Sequence, residues 1–272
     1  IDQGIKPEKI LLVTFTNKAA AEMMYRVKNL LGLKVEDKLS LWGGTFHSLA
    51  NRLLRIYGKY IDIKSDFTIL DSDDSDNLLK LISKDYLASL PAKHRPSPGV
   101  LRETISFATN SGIDIQTSLE TKFPEWIVLL ENIEKIASEY QRRKRESNVL
   151  DFDDLLVFWK ILTEDPEAGV FLQKKWEYIL VDEYQDTNTI QADIIYNLAK
   201  LHNNVLAVGD DAQSIYSFRA ADIRNILEFP DKFKNTKVHK LEINYRSTPE
   251  ILDVANQIIA ANSNQFTKNL KA

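Results

Sequence analysis

The sequence predicts an α/β protein whose parallel sheet carries helices on both faces and whose chain is interrupted by a helical insertion. Three observations lead there. Apolar runs of strand-forming residues recur near both ends, at 10–15, 178–182 and 205–209. Each is followed by helical spacing, and strands alternating with helices imply parallel pairing through right-handed crossovers. Between about 63 and 150 no such run occurs, and 71–87 and 123–146 have helical periodicity instead.

Taken in order, residues 10–15 (ILLVTF) suit a strand buried on both faces. Thr16 is placed to cap a helix that opens on Lys18 and Ala19 and runs toward Leu31, with Gly32 to end it. A short strand at 44–46 and a helix over 47–57 come next. Pro91, Pro96, Pro98 and Gly99 mark a loop inside the insertion. Beyond it, 178–182, 205–209 and 238–243 read as strands, with helices over 189–201 and 221–227. Ser247 and Glu250 have capping-box spacing, with Pro249 in the first turn of a helix reaching Ala260. The expected division is therefore 1–62 and 151–272 as two parts of one α/β domain, around an all-helical insertion at 63–150.

Composition narrows the function classes. The 272 residues are 44% hydrophobic and 27% charged, as in an ordinary globular protein with a core. No apolar run reaches the roughly 20 residues of a membrane span, and no signal peptide opens the chain. With no Cys there are no disulfides or thiolate metal sites, which suits a reducing, cytoplasmic setting. A net charge of −4 excludes nucleic-acid binding by bulk charge, so any such binding must be local. The most basic stretch, 141–145 (QRRKR), is either a solvated helix face or a phosphate contact.

Several segments carry chemistry. In 178–186 (YILVDEYQD) four apolar residues run into Asp182 and Glu183. Ligands of open parallel sheets lie beyond the strands' carboxyl ends, so these acids face a site. Phosphoryl transfer needs one acid to hold Mg²⁺ through water and another group to orient the attacking water. Asp182 suits the first task and Glu183 the second. An isolated acid pair is more often a cap or a surface ion pair; the DExxD continuation argues for the site. In 208–219 (VGDDAQSIYSFR), Gln213 stands where a side chain meets both a terminal phosphate and a water, and Tyr216 and Phe218 either stack on bases or pack beneath their loop. In 241–247 (LEINYRS), Arg246 suits a phosphate and Tyr245 a purine, although a lone Arg is more commonly a surface ion pair. Thr14, Phe15, Asn17 and Lys18, with Thr45, Phe46 and His47, gather polar groups at two helix starts where a nucleic-acid phosphate fits; His47 suits a contact there rather than catalysis.

The stretches TFTNKAAAEM, GTFHSLANRLLR, LDFDDLL, ILVDEYQDTN, VGDDAQSIYSFRAADI and LEINYRST, in this order, resemble the UvrD/Rep/PcrA family of superfamily 1A DNA helicases. Six motifs in family order span the chain from end to end. The resemblance implies a RecA-like motor domain with an inserted helical subdomain that approaches the duplex, in an enzyme moving 3′ to 5′ on single-stranded DNA. It implies Asp182 and Glu183 as the Mg²⁺ and catalytic carboxylates, Gln213 as a γ-phosphate sensor, Arg246 as an arginine finger and Tyr245 as a stack near adenine. Thr14, Phe15, Thr45, His47, Tyr216 and Phe218 are then expected along the single strand, with ATP and Mg²⁺ as cofactors and single-strand/duplex junctions as substrate.

The sequence departs from the family at Phe218, usually Trp, at Ala220, usually Gly, and at Ile243, usually Gln. It contains no GxxxxGK[ST], and starts with Ile rather than Met. The expectation is a piece of a motor that lacks its phosphate loop and its second motor domain, that hydrolyses no ATP alone, and whose missing strand leaves apolar sheet edges. Two other readings stay open: a DNA-binding module without a motor, and the motor of a helicase–nuclease.

Overall fold

In a computed structural model, which describes residues 1, 4–34, 37 and 39–272, the α/β part is built on a four-stranded sheet. Its strands are β1 (Ile10–Thr14), β2 (Trp42–Thr45), β5 (Tyr178–Val181) and β6 (Val205–Ala207), in the order β2-β1-β5-β6. All pairings are parallel: Leu11 sits opposite both Trp42 and Ile179, and Ile179 opposite Val205. Leu11, Val13, Ile179 and Val181, alternate residues that share one face of their strands, are buried in the main core, while Ile10, Leu12, Tyr178 and Leu180 between them are only partly covered.

Adjacent glycines show how the two faces are covered. Side chains alternate across a strand, and a Cβ on Gly43 would meet Met24 Sδ at 2.5 Å while one on Gly44 would meet Ser48 Oγ at 2.5 Å. Met24 belongs to α1 (Asn17–Leu30) and Ser48 to α2 (Phe46–Tyr57), so a helix presses on each side. Thr16 caps α1, its hydroxyl accepting the Ala19 N–H at 3.1 Å, as its position predicts. Helices α7 (Phe152–Glu164), α8 (Ala168–Lys175) and α9 (Thr189–Ala199) complete the layer over the core, where Trp159 and Trp176 are the largest fully buried side chains.

The insertion consists of α3 (Ser72–Tyr86), α4 (Pro98–Ser111), α5 (Ile115–Lys122) and α6 (Leu130–Glu146), around a second core that includes Leu79, Ile82, Leu101, Leu119, Ile133 and Ile136. It is not wholly helical. At its base β3 (Thr68–Ile69) pairs in parallel with β4 (Val149–Leu150), holding the entry and exit of the chain together. Pro98 opens α4 from its first turn, with Ser97 as cap, because a first-turn Pro gives up an N–H that has no helical partner anyway.

Three further expectations are corrected. Residues 238–243 form no strand: a strand needs a ladder, and this segment has one isolated bridge, Ile243 to Lys271. The helix expected over 221–227 shrinks to one turn, α10 (Arg224–Leu227), followed by α11 (Phe229–Lys232). Helix α12 (Pro249–Ala260) is capped by Thr248 without a side-chain bond, so Ser247 and Glu250 do not stand at the two ends of a capping box.

The basic run is engaged within the molecule. Arg142 pairs with Glu139 and Glu146, and Arg143 with Glu139 and Asp85. Hydrogen bonds from Arg142 and Arg143 hold the Glu139 carboxyl down to about 2. Lys144 points inward, 1% exposed, onto Asp151 and Asp154.

Candidate functional site

The acid pair leaves the sheet through a strained turn. Backbone bonds run past the end of β5, from Asp182 N–H to Val13 O at 2.9 Å and from Tyr184 N–H to Val208 O at 2.9 Å. Between them Glu183 takes φ 54°, a left-handed conformation uncommon for a residue with a side chain. The turn buries Tyr184 against Phe229, leaves Asp182 half-buried and turns Glu183 out to solvent. Burial, then the neighbouring Glu183, pushes the Asp182 carboxyl up. Two adjacent carboxylates beyond a strand end suit a hard divalent cation. No group of three or more metal-ligating side chains occurs among the described residues, so such an ion would depend on Asp182, water and its anionic ligand, the habit of Mg²⁺.

From β6 the chain turns at Gly209 into the loop bearing the second motif. Gln213 donates from Nε2 to Asp210 Oδ2 at 2.7 Å. Lys268, which the sequence reading gave no part, pairs with both Asp210 and Asp211. Burial pushes the Asp210 carboxyl up, yet the Lys268 ammonium and the Gln213 amide outweigh it and hold it below the usual range. Tyr245 is 94% exposed and Arg246 is exposed, with its N–H donated to Asn244 Oδ1 at 2.8 Å. The structure does not bring these two into contact with Asp182 or Gln213.

The aromatic residues do come together. Phe15 and Tyr216 stack at 5.8 Å between centroids, Tyr216 and Phe218 lie 5.9 Å apart, and the Arg219 guanidinium sits 5.5 Å from the Phe218 ring. Phe218 is 58% exposed. Beside this strip a cleft of about 620 Å³ opens between the sheet's carboxyl end and the insertion. Thr14, Phe15, Phe46, His47 and Phe218 line one wall; Arg102, Phe107, Asn110 and Lys122, from α4 and α5, line the other. Burial lowers the affinity of His47 for a proton, with Asp153 opposing, so the ring is neutral at neutral pH and is no standing cationic phosphate anchor.

Other predicted contacts are placed differently. Phe46 is buried and packs on Trp159 at 6.0 Å, a core side chain with one edge on the cleft. Thr45 is committed to capping α2, its Oγ1 accepting the Ser48 N–H at 3.2 Å. Asn17 and Lys18 are exposed on the first turn of α1 and do not line the cleft. Ala220 has φ 66°; that explains why Gly is usual here, since Ala in this region costs about 1–2 kcal/mol.

The sequence reading missed the insertion's share of the cleft. Asn110 donates to Asp153 Oδ1 at 2.6 Å and accepts from Asn188 Nδ2 at 2.7 Å, tying α4 to both α7 and α9. Lys122 Nζ donates to the Phe218 carbonyl at 3.1 Å, so α5 holds the aromatic loop. LDFDDLL and DTN stood in the sequence, but only the fold shows what they face.

Two polar atoms on the cleft's inner wall, Thr14 Oγ1 and Asp186 Oδ1, are buried without a partner among the described residues. Burial, then Glu183, pushes the Asp186 carboxyl up to about 6 from 3.8. A carboxyl raised on folding contributes stability that is full below its unfolded pKa and lost as pH rises through the folded one. Asp186→Asn removes that dependence. Its stability relative to the unaltered protein should therefore climb between about pH 4 and about pH 6 and level off above. Thermal unfolding of both proteins across that range checks this; a difference independent of pH would show that Asp186 titrates normally.

A family model described as "UvrD/REP helicase N-terminal domain" matches residues 1–234. The "ATP-dependent DNA helicase UvrD1" of Mycobacterium tuberculosis is 39% identical over 277 residues, covering 98% of this chain and 35% of the relative. The "ATP-dependent DNA helicase PcrA" of Bacillus subtilis is 39% identical over 270 residues, covering 99% and 35%. "DNA helicase II" of Haemophilus influenzae is 39% identical over 273 residues, covering 98% and 36%. The chain thus spans about a third of the length of the curated relatives it matches.

Proposed function

This chain belongs to the UvrD/REP helicase N-terminal domain family, and on that premise we propose that it forms part of an ATP-dependent 3′–5′ DNA helicase or translocase. The observation that carries the proposal is the joining of two surfaces at one sheet end. The Glu183 turn and the aromatic loop leave neighbouring strands and are bonded to each other from Tyr184 N–H to Val208 O at 2.9 Å. Hydrolysis at the first and single-strand stacking at the second are then mechanically adjacent.

Mg²⁺–ATP supplies the phosphoryl group whose transfer to water drives movement. Asp182 would hold the ion, which would screen the charge of the phosphates, and the exposed Glu183 carboxylate takes the proton of the attacking water. Gln213 leaves Asp210 to meet the terminal phosphate. Tyr245 and Arg246, exposed as they are, reach the nucleotide only after a change of position. Bases stack on Phe218 and Tyr216, with Thr14, Phe15 and His47 along the strand and the insertion, taken as 63–150, facing the duplex side of a junction. A second motor domain completes the nucleotide site, and the setting is cytoplasmic. No described helix is long and apolar enough to cross a membrane.

The test uses the intact protein carrying these residues, with ATP hydrolysis measured with and without single-stranded oligonucleotide. Turnover should rise with oligonucleotide, and Phe218→Ala should weaken oligonucleotide binding by about 1–3 kcal/mol, the worth of one stacked base. Binding without turnover would replace the motor with a DNA-binding module; turnover indifferent to DNA would remove DNA from the reading.

A further inference from the structure

Gln185 is 1% exposed, and the chemistry proposed above gives it no task. Both ends of its amide are nevertheless committed. Nε2 donates to Glu183 Oε2 at 2.8 Å, and Oε1 accepts the Asp210 N–H at 3.0 Å. Its main-chain carbonyl accepts from Ser214 Oγ at 3.3 Å. One buried side chain therefore touches the exposed carboxylate at the end of β5 and the start of the loop that carries Gln213, Tyr216 and Phe218.

Gly209 makes this reach possible. A Cβ there would lie 2.5 Å from Gln185 Oε1 and 2.7 Å from Ile226 Cδ1, so any side chain would push the amide away from Asp210. The buried amide favours no alternative pose, because a donor or acceptor left unpaired there loses its hydrogen bond to water without a replacement. Movement of the loop must then either carry the amide along or break the bond. Among the described residues no other side-chain hydrogen bond holds Glu183, which is exposed and whose backbone sits in a sparsely populated conformation.

We infer that Gln185 is a positioning residue that ties the Glu183 carboxylate to the aromatic loop, so that a strand stacked on the loop sets where the carboxylate stands. The inference rests on the proposed function, since it needs hydrolysis at Glu183 and nucleic acid at Phe218. Gln185 touches no reacting atom; it acts through Glu183.

The experiment compares the intact protein with Gln185→Ala, Gln185→Glu, Gly209→Ala and the Gln185→Ala/Gly209→Ala double variant, with Glu183→Gln as the reference for loss. ATP turnover is followed over a range of ATP and single-stranded oligonucleotide, and oligonucleotide binding is measured separately. Gln185→Ala should lower DNA-stimulated kcat by about 10- to 100-fold, the scale of a misplaced reacting group. KM for ATP and Kd for oligonucleotide should stay within about twofold. Gln185→Glu keeps an acceptor for the Asp210 N–H but, once ionised, cannot donate to Glu183, and should match the Ala variant at pH values above the titration of the new carboxyl. Gly209→Ala should give the same signature, and the double variant should be no worse than Gln185→Ala, because both substitutions act through the same amide.

Stimulated kcat within about twofold of the unaltered protein in Gln185→Ala would overturn the inference. So would a loss of oligonucleotide binding in step with kcat, which marks a structural role, or additive effects in the double variant. If the unaltered protein shows no DNA-stimulated turnover, or Glu183→Gln retains it, the proposed function falls and takes the inference with it. That failure is distinct, because it appears before any Gln185 variant is read.

Discussion

Glu183→Gln in the intact protein should lower DNA-stimulated ATP turnover by about 10²- to 10⁴-fold, the usual contribution of a positioned general base. Several features make the substitution a clean probe. Gln has nearly the same shape, so the left-handed turn at φ 54° keeps its exposed side chain. Its amide oxygen still accepts from Gln185 Nε2, now 2.8 Å from the carboxylate. The basicity disappears, together with the charge that helps to raise the Asp182 and Asp186 carboxyls. The loss should fall on kcat, with KM for ATP and oligonucleotide binding little changed, since the proton is taken in the transition state and not on binding. Steady-state kinetics at saturating oligonucleotide measure this. A kcat within about threefold of the unaltered protein would move the base elsewhere, Asp186 being another carboxylate on the same turn.

The second large effect concerns stability. Lys144→Met should destabilise the protein by about 3–5 kcal/mol, the cost of removing one partner from a buried ion pair. Lys144 Nζ lies 2.7 Å from Asp154 and also pairs with Asp151, which accepts in addition from Tyr140 Oη at 3.0 Å. The two carboxylates are reciprocal caps at the start of α7, each accepting the other's N–H. Without the ammonium, two buried like charges face each other across that cap. Burial, then Asp151, already pushes the Asp154 carboxyl up against the pull of Lys144. A raised carboxyl contributes its stability below the unfolded pKa and loses it as pH rises, so the defect of Lys144→Met should shrink on acidification. Adding Asp154→Asn should recover part of the loss at neutral pH. Calorimetric unfolding of the single and double variants decides; a Met variant within about 1 kcal/mol of the unaltered protein would mean the pair contributes nothing net.

The same lysine shows where reading the chain alone runs out. In sequence Lys144 belongs to QRRKR, a run suited to phosphate. In the fold α6 points it at Asp151 and Asp154, while Arg142 and Arg143 are taken by Glu139, Glu146 and Asp85. Charge runs do not state their partners, because partners at helical spacing and partners across elements are equally invisible until the helix is placed.

The strands at 10–14 and 178–181 were legible as short continuous runs of strand-forming, mostly apolar residues, although one face of each is more fully buried than the other. Residues 238–243 (VHKLEI), whose last four alternate polar and apolar side chains as a half-buried strand would, form no strand, because pairing is a property of two segments and composition of one. Helix α4 hid behind Pro98 and Gly99, which punctuate a loop as readily as they open a helix.

By itself the sequence determined the parallel α/β plan, the helical insertion, and the acids and aromatics at the strand ends. Those signals are local: each rests on periodicity or on residues a few positions apart. Only the tertiary structure decided that α4 and α5 form the far wall of the cleft, that Lys122 holds the Phe218 carbonyl and that Asn110 joins Asp153 to Asn188. It also decided that Gln185 spans Glu183 and Asp210, since a hydrogen bond depends on where two atoms come to rest and not on their distance along the chain.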